Sequence, residues 1–439
     1  MRVREYFMGK RIAVIGLGTE GEMLADIRFM VKANALVSLY DLKTEARVCE
    51  HLPELRSIGL ANCICGSIPP DDLLDMDLII LSHEYPRTSS FLTEARRKGI
   101  EIEYPETLFL KLTPPVTVVG IMGACGKSTV LSMLAPMLET VGSAAGLQPS
   151  FVVDMESGEG MLSSLKRMKN GDTVTMRIIE QMMPEIHALK WSPQVAIFTT
   201  VPPPGSFKDT PFEILQYQTY NNYVIGSDHV IDALRSSNPQ VRARMLRTKG
   251  ASVPDDWMPE GRTIYDREDA ALALQAARLF KVTDEGAQAV LSKWKPLKGR
   301  LEPVKKVKSV EFYNDTASVS PYATIAGMAS LSTNRNLVMI VGGADRGADY
   351  GELYPALSQY AHTLIVLPGS GTMRERRSIH KLENMSVLSV PSIEEAVRLA
   401  AEHAKKGDRV LFSPAFDAVG VDGSRTERGE RFVRAVRAL

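Results

Sequence analysis

An apolar stretch that runs into a glycine-rich turn and then into Gly-Lys-Ser-Thr constrains this chain more than any other feature. Val116-Thr117-Val118-Val119-Gly120 reads as a buried strand, and a helix is expected to start near Lys127. Between them, Gly123-Ala124-Cys125-Gly126-Lys127-Ser128 has the spacing G-x-x-G-K-S, with Gly120 as an extra glycine upstream. The longer phosphate-loop spacing wants glycine at position 121, where Ile121 stands. Backbone N–H groups of Gly123, Ala124, Cys125 and Gly126 are placed to surround phosphate oxygens, and the helix adds its positive N-terminal end. Lys127 is then the reach to the β- and γ-phosphates, and the Ser128 or Thr129 hydroxyl is a candidate magnesium ligand. A nucleoside triphosphate, with magnesium, is the expected ligand.

A second glycine turn lies near the start. Arg11-Ile12-Ala13-Val14-Ile15 reads as a strand that enters Gly16-Leu17-Gly18-Thr19-Glu20-Gly21, and Asp41 ends the next strand. This is the spacing of a dinucleotide fingerprint: Gly16, Gly18 and Gly21 allow a tight turn beside phosphates, with Thr19 and Glu20 in the turn, and Asp41 offers a carboxylate to ribose hydroxyls. A nicotinamide dehydrogenase would leave the Lys127 loop unexplained. Two phosphate-binding turns instead suggest ATP coupled to a nucleotide-linked substrate.

The 439 residues exceed one ordinary domain. Strand-like runs alternate with helical ones in three blocks, an α/β pattern. Val37–Asp41 and Leu78–Ser82 continue the first block; Thr173–Met176 and Val195–Thr199 continue the second. Val310–Tyr313, Leu337–Val341, Thr363–Leu367 and Arg409–Phe412 lie in the third. Thr113-Pro114-Pro115 and Trp294-Lys295-Pro296 punctuate the chain, giving expected domains 1–113, 114–295 and 296–439. Asn314-Asp315-Thr316, Gly342 to Gly347 and Ser413-Pro414-Ala415 fall at strand ends, where open α/β sheets bind ligands, and Arg300 is a candidate phosphate contact. Lys+Arg and Asp+Glu are both 52, a balance that gives no support to a nucleic-acid or membrane surface. The four cysteines lack zinc spacing and read as buried or incidental thiols. With no signal-like start and no apolar run of about 20 residues, a cytoplasmic, non-membrane protein is expected.

Taken together, these motifs resemble the Mur ligase family, the ATP-dependent amide ligases of peptidoglycan synthesis, along nearly the whole chain. Gly123 to Thr129 resembles the family's G-T-N-G-K-[ST] loop. Gly16 to Gly21, Asn314 to Val319, Gly342 to Asp349, and Ser413 to Ala415 followed by Arg428-Gly429-Glu430-Arg431-Phe432 are similar to segments of its D-glutamate-adding branch. The resemblance implies a Rossmann-like N-terminal domain for the UDP-linked substrate, a P-loop ATPase-like central domain and a Rossmann-like C-terminal domain for the amino acid. It implies D-glutamate addition to UDP-N-acetylmuramoyl-L-alanine through an acyl phosphate, by a monomer. It also implies ATP contacts from Arg300, Asp315, Asp266 and Asp269, and amino-acid contacts from Arg346 and Ser413.

The chain departs from the family mostly in its centre. No lysine occurs from Asp209 to Arg247, where the family carries a carbamylated one, and Val201 to Asp209 holds no histidine. The family's magnesium glutamate has Glu180 as a shifted candidate, after Arg177-Ile178-Ile179. Cys125, Ala317 and Val319 replace the family's asparagine, lysine and threonine, and Tyr265 to Asp269 stands in for H-N-x-x-N. A magnesium ion held by few protein groups fits these losses, since magnesium keeps much of its water. The alternative is a diverged nucleotide-binding homologue with weak or no ligase activity.

Overall fold

Apolar runs become strands buried on both faces, as parallel sheets covered by helices require. The computed structural model describes residues 3–18, 21–43, 48, 52–83, 85, 89–142, 150–153, 159–179, 182–201, 211–237, 240–260, 262–345, 347–418 and 423–439. Four expected site residues, Thr19, Glu20, Glu180 and Arg346, therefore lie outside the described residues, as does most of 201–209.

There are three sheets. The first contains β1 (Arg11–Ile15), β2 (Leu36–Asp41), β3 (Asn62–Cys65), β4 (Leu78–Leu81) and β5 (Glu101–Glu103) in the order β3-β2-β1-β4-β5. All of its pairings are parallel. The second contains β6 (Thr117–Met122), β7 (Ser150–Val152), β8 (Thr173–Arg177), β9 (Val195–Phe198), β10 (Tyr223–Ser227) and β11 (Arg244–Thr248), in the order β11-β10-β9-β6-β8-β7 and again parallel. In the third, β12 (Glu302–Val307) runs antiparallel to β13 (Val310–Asn314), and β14 (Leu337–Gly342), β15 (Ala361–Leu367), β16 (Ser386–Ser389) and β17 (Arg409–Phe412) complete the order β12-β13-β17-β14-β15-β16. The architecture is thus α/β with Rossmann-like first and third sheets. No helix among the described residues is long and apolar enough to cross a membrane.

Backbone proximity gathers the chain into two compact units. One comprises Met1–Gly123, Val130–Lys249 and Leu272–Ala287; the other comprises Ala124–Thr129, Gly250–Ala271 and Gln288–Leu439. The first unit holds the first two sheets around one continuous apolar core, in which Ile12, Val14, Ile27 and Phe29 join Val118, Leu162, Met176 and Phe198. Met176, Met182 and Met183 belong to the same core, while His187 is exposed.

A buried acid ties the two parts of that core together. Asp26, on the helix Leu24–Lys32, is fully buried, and its Oδ1 accepts the Leu162 amide at 2.8 Å from the short helix Met161–Ser164. Gly160 makes the approach possible: a Cβ there would stand 2.6 Å from Asp26 Oδ1. Burial pushes the Asp26 carboxyl up to about 7, with backbone amides opposing the shift and Glu106 adding to it. A carboxyl raised in the folded state costs stability as pH climbs from its unfolded value, about 4, through its folded value, and the cost is constant above. Asp26→Asn keeps an oxygen for the Leu162 amide and removes the charge. Denaturant titrations from pH 5 to pH 8 should show wild type losing about 2–3 kcal/mol relative to this variant. Parallel stability profiles would contradict the assignment.

Candidate active site

The phosphate loop starts later than the sequence suggests. β6 continues through Gly120 to Met122, so Gly120 is a packing glycine: a Cβ on it would meet Ile178 Cδ1 at 2.5 Å. The turn proper begins at Gly123, whose φ of 132° suits glycine, and where a Cβ would lie 2.1 Å from Thr199 Oγ1. Thr199 in turn donates its hydroxyl to the Met122 carbonyl at 3.0 Å and its amide to the same oxygen at 2.9 Å, fixing the point where the chain leaves the sheet. Gly126 is also left-handed, with φ 82°, and the helix Lys127–Gly142 begins at the next residue. Ala124, Cys125, Lys127 and Thr129 are partly exposed; Ser128 is buried.

Groups far apart in sequence converge on this loop within the second unit. Burial pushes the Cys125 thiol up to about 12; Asp269 and Asp315 add to the rise, while Lys127 and Arg300 oppose it. Cys125 thus feels every charged group that the sequence analysis assigned to nucleotide binding except Asp266. The Asp266 carboxylate accepts the Thr263 amide and hydroxyl, both at 2.9 Å, and so holds the start of the helix Ile264–Leu279. Burial, reinforced by Asp266 and Glu268, pushes Asp269 well above the usual carboxylate range.

Asp315 is turned inward. Its Oδ1 accepts the Leu301 amide at 3.1 Å and its Oδ2 accepts the Ser413 hydroxyl at 2.7 Å, with Thr324 Oγ1 3.0 Å from Ser413 Oγ. Burial pushes its carboxyl up to about 6 against those hydrogen bonds. Asp315 and Ser413, expected at ribose and amino acid, therefore stitch the ends of β13 and β17 together. Arg300 directly precedes Leu301, whose amide Asp315 holds.

At the N-terminal glycine turn, Gly16, Gly18 and Gly21 all have left-handed φ, at 84°, 88° and 79°. Asp41 is buried as well. Its Oδ2 accepts the Leu17 amide at 2.9 Å, and its Oδ1 accepts the Lys43 amide at 2.8 Å and the Tyr85 hydroxyl at 3.0 Å. The carboxylate expected at ribose hydroxyls instead holds the turn closed, a role that sequence spacing alone does not distinguish. Sequence reasoning passed over His83, whose Nε2 lies 2.9 Å from buried Glu106, and over Tyr85 in the same turn.

In the third sheet, Gly342 and Gly343 leave β14, and Ala344 pairs with Asp417 in an isolated antiparallel bridge. Arg428 is fully buried: Nη1 and Nη2 each donate to the Phe416 carbonyl at 3.2 Å, and Nη2 to the Thr316 carbonyl at 3.3 Å. It is a brace between the loops after β13 and β17. Among the described residues, no group of three or more His, Cys, Asp or Glu side chains is placed to hold a metal ion. Thr219 and Asn221, in the lysine-free stretch from Asp209 to Arg247, sit in an exposed turn in which the Thr219 amide donates to Asn222 Oδ1. Arg177 ends β8 opposite Ile121.

Three helix-flanked sheets with a Gly-Lys-Ser loop at a strand end define a phosphate-loop α/β protein. Residues 10–103 match the family described as Mur ligase MurD-like, N-terminal domain, and residues 299–416 match Mur ligase, glutamate ligase domain. The UDP-N-acetylmuramoylalanine–D-glutamate ligase of Desulfosudis oleivorans is 27% identical over 98% of this chain and 96% of its own length. The fold is shared with UDP-N-acetylmuramate–alanine ligase of Thermotoga maritima (TM-score 0.59, 15% identity, 98% of this chain and 99% of that one). It is shared too with a MurF ligase of Thermotoga maritima solved with ADP (TM-score 0.54, 16% identity, 99% of this chain and 96% of that one). The chain belongs to the Mur ligase family, whose members are ATP-dependent ligases.

The thiol environments differ enough to test the loop geometry. Cys63 is exposed on β3, whereas the Cys125 thiol is held protonated. Since the thiolate is the nucleophile, iodoacetamide at pH 8 should label Cys63 in the native protein well before Cys125, as read by peptide mass spectrometry. Equal labelling rates would contradict the described environment.

Proposed function

We propose that this chain is an ATP-dependent ligase that joins D-glutamate to UDP-N-acetylmuramoyl-L-alanine. The observation that carries the reading is the turn from β6 through Gly123 and Gly126, both with positive φ, into the helix that starts at Lys127, in a chain similar along its length to a ligase of that name. Residues 1–113 are assigned to the UDP-linked substrate through Gly16, Gly18, Thr19, Glu20 and Gly21, residues 114–295 to ATP, and residues 296–439 to the amino acid.

In this reading a carboxylate oxygen of the UDP-linked substrate attacks the γ-phosphorus of ATP, and ADP leaves. The amino group of D-glutamate then attacks the resulting acyl phosphate, and inorganic phosphate departs with one of the original carboxylate oxygens. Such transfer is mostly positioning and charge neutralisation. The loop amides and the helix N-terminus cradle the phosphates, Lys127 covers the γ-phosphate, and Arg300 adds charge at the loop. The available protein donors fit magnesium carried in on the nucleotide, with Ser128 as its protein ligand and water completing the shell. Bound there, the ion would neutralise charge on the β- and γ-phosphates. Arg346 meets the D-glutamate carboxylate as a fork. Asp315 and Ser413 support this site by fixing the loops around it.

The experiment is phosphate release by purified protein with ATP, magnesium, UDP-N-acetylmuramoyl-L-alanine and a panel of amino acids. Release should require both the UDP-substrate and D-glutamate, and Lys127→Ala should lower it at least about a hundredfold. Nucleotide binding without substrate-dependent release would overturn the ligase reading in favour of a diverged nucleotide-binding homologue. Release that follows another amino acid would overturn the D-glutamate assignment alone.

A further inference from the structure

The loop after β14 is gripped by a side chain that no sequence motif singles out. β15 ends at Leu367, and the short helix Ser370–Arg374 follows it. Arg374 Nη1 donates to Asp345 Oδ2 at 2.6 Å, and Nη2 donates to the Ala348 carbonyl at 2.7 Å. Its Nε donates to Glu375 Oε1 at 2.9 Å, and the Tyr354 hydroxyl donates to Glu375 Oε2 at 2.5 Å. One guanidinium therefore holds the loop on both sides of position 346 and is itself oriented by a carboxylate.

Further contacts bring this grip to bear on the rest of the site. The face of Tyr350 lies 5.2 Å from the Arg374 guanidinium carbon, and the same ring stacks on Phe416 with centroids 4.4 Å apart and planes at 18°. Phe416 belongs to the segment that begins at Ser413. The Asp345 amide donates to Ser370 Oγ at 3.0 Å, and the Gly371 amide donates to the Gly343 carbonyl at 3.1 Å. Gly371 has no room for a side chain, because a Cβ would meet Phe416 Cδ1 at 2.3 Å. Asp345 Oδ1 also accepts the Gly347 amide at 2.8 Å, closing the turn.

We propose that Arg374 is a positioning residue for the amino-acid substrate: its fork sets the Asp345–Ala348 turn in a binding-ready shape. This rests on the ligase reading above. Each of its guanidinium nitrogens donates to a protein acceptor, so Arg374 acts through the turn rather than on the substrate's carboxylate. Lysine has a single charged point and cannot span a carboxylate, a carbonyl and an aromatic face together. An exposed ion pair adds little to global stability, so the grip matters locally, for the geometry of binding. A carboxylate-bearing substrate would otherwise have to order the turn itself, and its affinity would fall by that amount.

The test measures steady-state kinetics for Arg374→Ala, Arg374→Lys and, as an exposed control on another helix, Arg398→Ala. Arg374→Ala should raise the KM for D-glutamate about tenfold, with the KM values for ATP and the UDP-substrate unchanged. The melting temperature should move by no more than about 2 °C. Arg374→Lys should resemble Arg374→Ala, and Arg398→Ala should resemble wild type. Hydrogen exchange in the Arg374→Ala protein should quicken at the amides of Asp345 and Gly347 without change in β14. If wild type turns over D-glutamate and Arg374→Ala leaves its KM unchanged, the positioning role is wrong while the ligase reading stands. If wild type has no D-glutamate-dependent turnover, the ligase reading fails, and exchange alone then decides whether Arg374 sets the turn. Unchanged exchange at Asp345 and Gly347 overturns the proposal in either case.

Discussion

The site depends on the way the chain leaves β6. A triphosphate needs several backbone N–H groups aimed at one small volume, and backbone donors converge only in a tight turn. Gly123 supplies it by lying so close to Thr199 that no side chain would fit, in a conformation that favours glycine. The Met122 carbonyl, accepting from both the amide and the hydroxyl of Thr199, fixes the exit. The helix then starts at Lys127, with its positive N-terminal end at the turn.

Around that turn, carboxyl groups are kept from competing with phosphate. Asp269 is pushed well above the usual carboxylate range by burial and by its acidic neighbours. Asp315 is folded into a network with Ser413 and Leu301, and Asp266 into the start of its own helix. The charges of Lys127 and Arg300 oppose the rise at Cys125. Charge here is arranged as much by internal hydrogen bonds as by residue type. The same logic governs Asp41, which closes the N-terminal glycine turn from inside.

The sequence made the central strands legible because they are short apolar runs, most of them with glycine or proline close by: β1, β6, β9, β14, β15 and β17 have that form, and β4 is an apolar run between Asp77 and Ser82. The strands missed lie mostly at sheet edges, although β10, paired on both sides, is missed as well. β3 is Asn62-Cys63-Ile64-Cys65, β5 has only three residues, β11 reads Arg-Met-Leu-Arg-Thr, and β16 is half exposed. With one side unpaired or solvated they need no continuous apolar run, so periodicity carries little signal. The extent of β6 was underestimated because a glycine inside a strand looks like the beginning of a turn. Side-chain direction was not legible at all. Asp41, Asp315 and Ser413 stand at positions where strand ends bind ligands, yet they point inward; Arg374 has no motif and nonetheless grips a loop at a strand end.

The central claim is that this chain passes a phosphoryl group from ATP to a carboxylate before an amide forms. Its most direct test is an isotope measurement. UDP-N-acetylmuramoyl-L-alanine labelled with oxygen-18 in its free carboxylate would be turned over with unlabelled ATP and D-glutamate, and the released phosphate analysed by mass spectrometry. An acyl phosphate predicts one labelled oxygen in each phosphate released. Release of unlabelled phosphate during turnover would contradict the account.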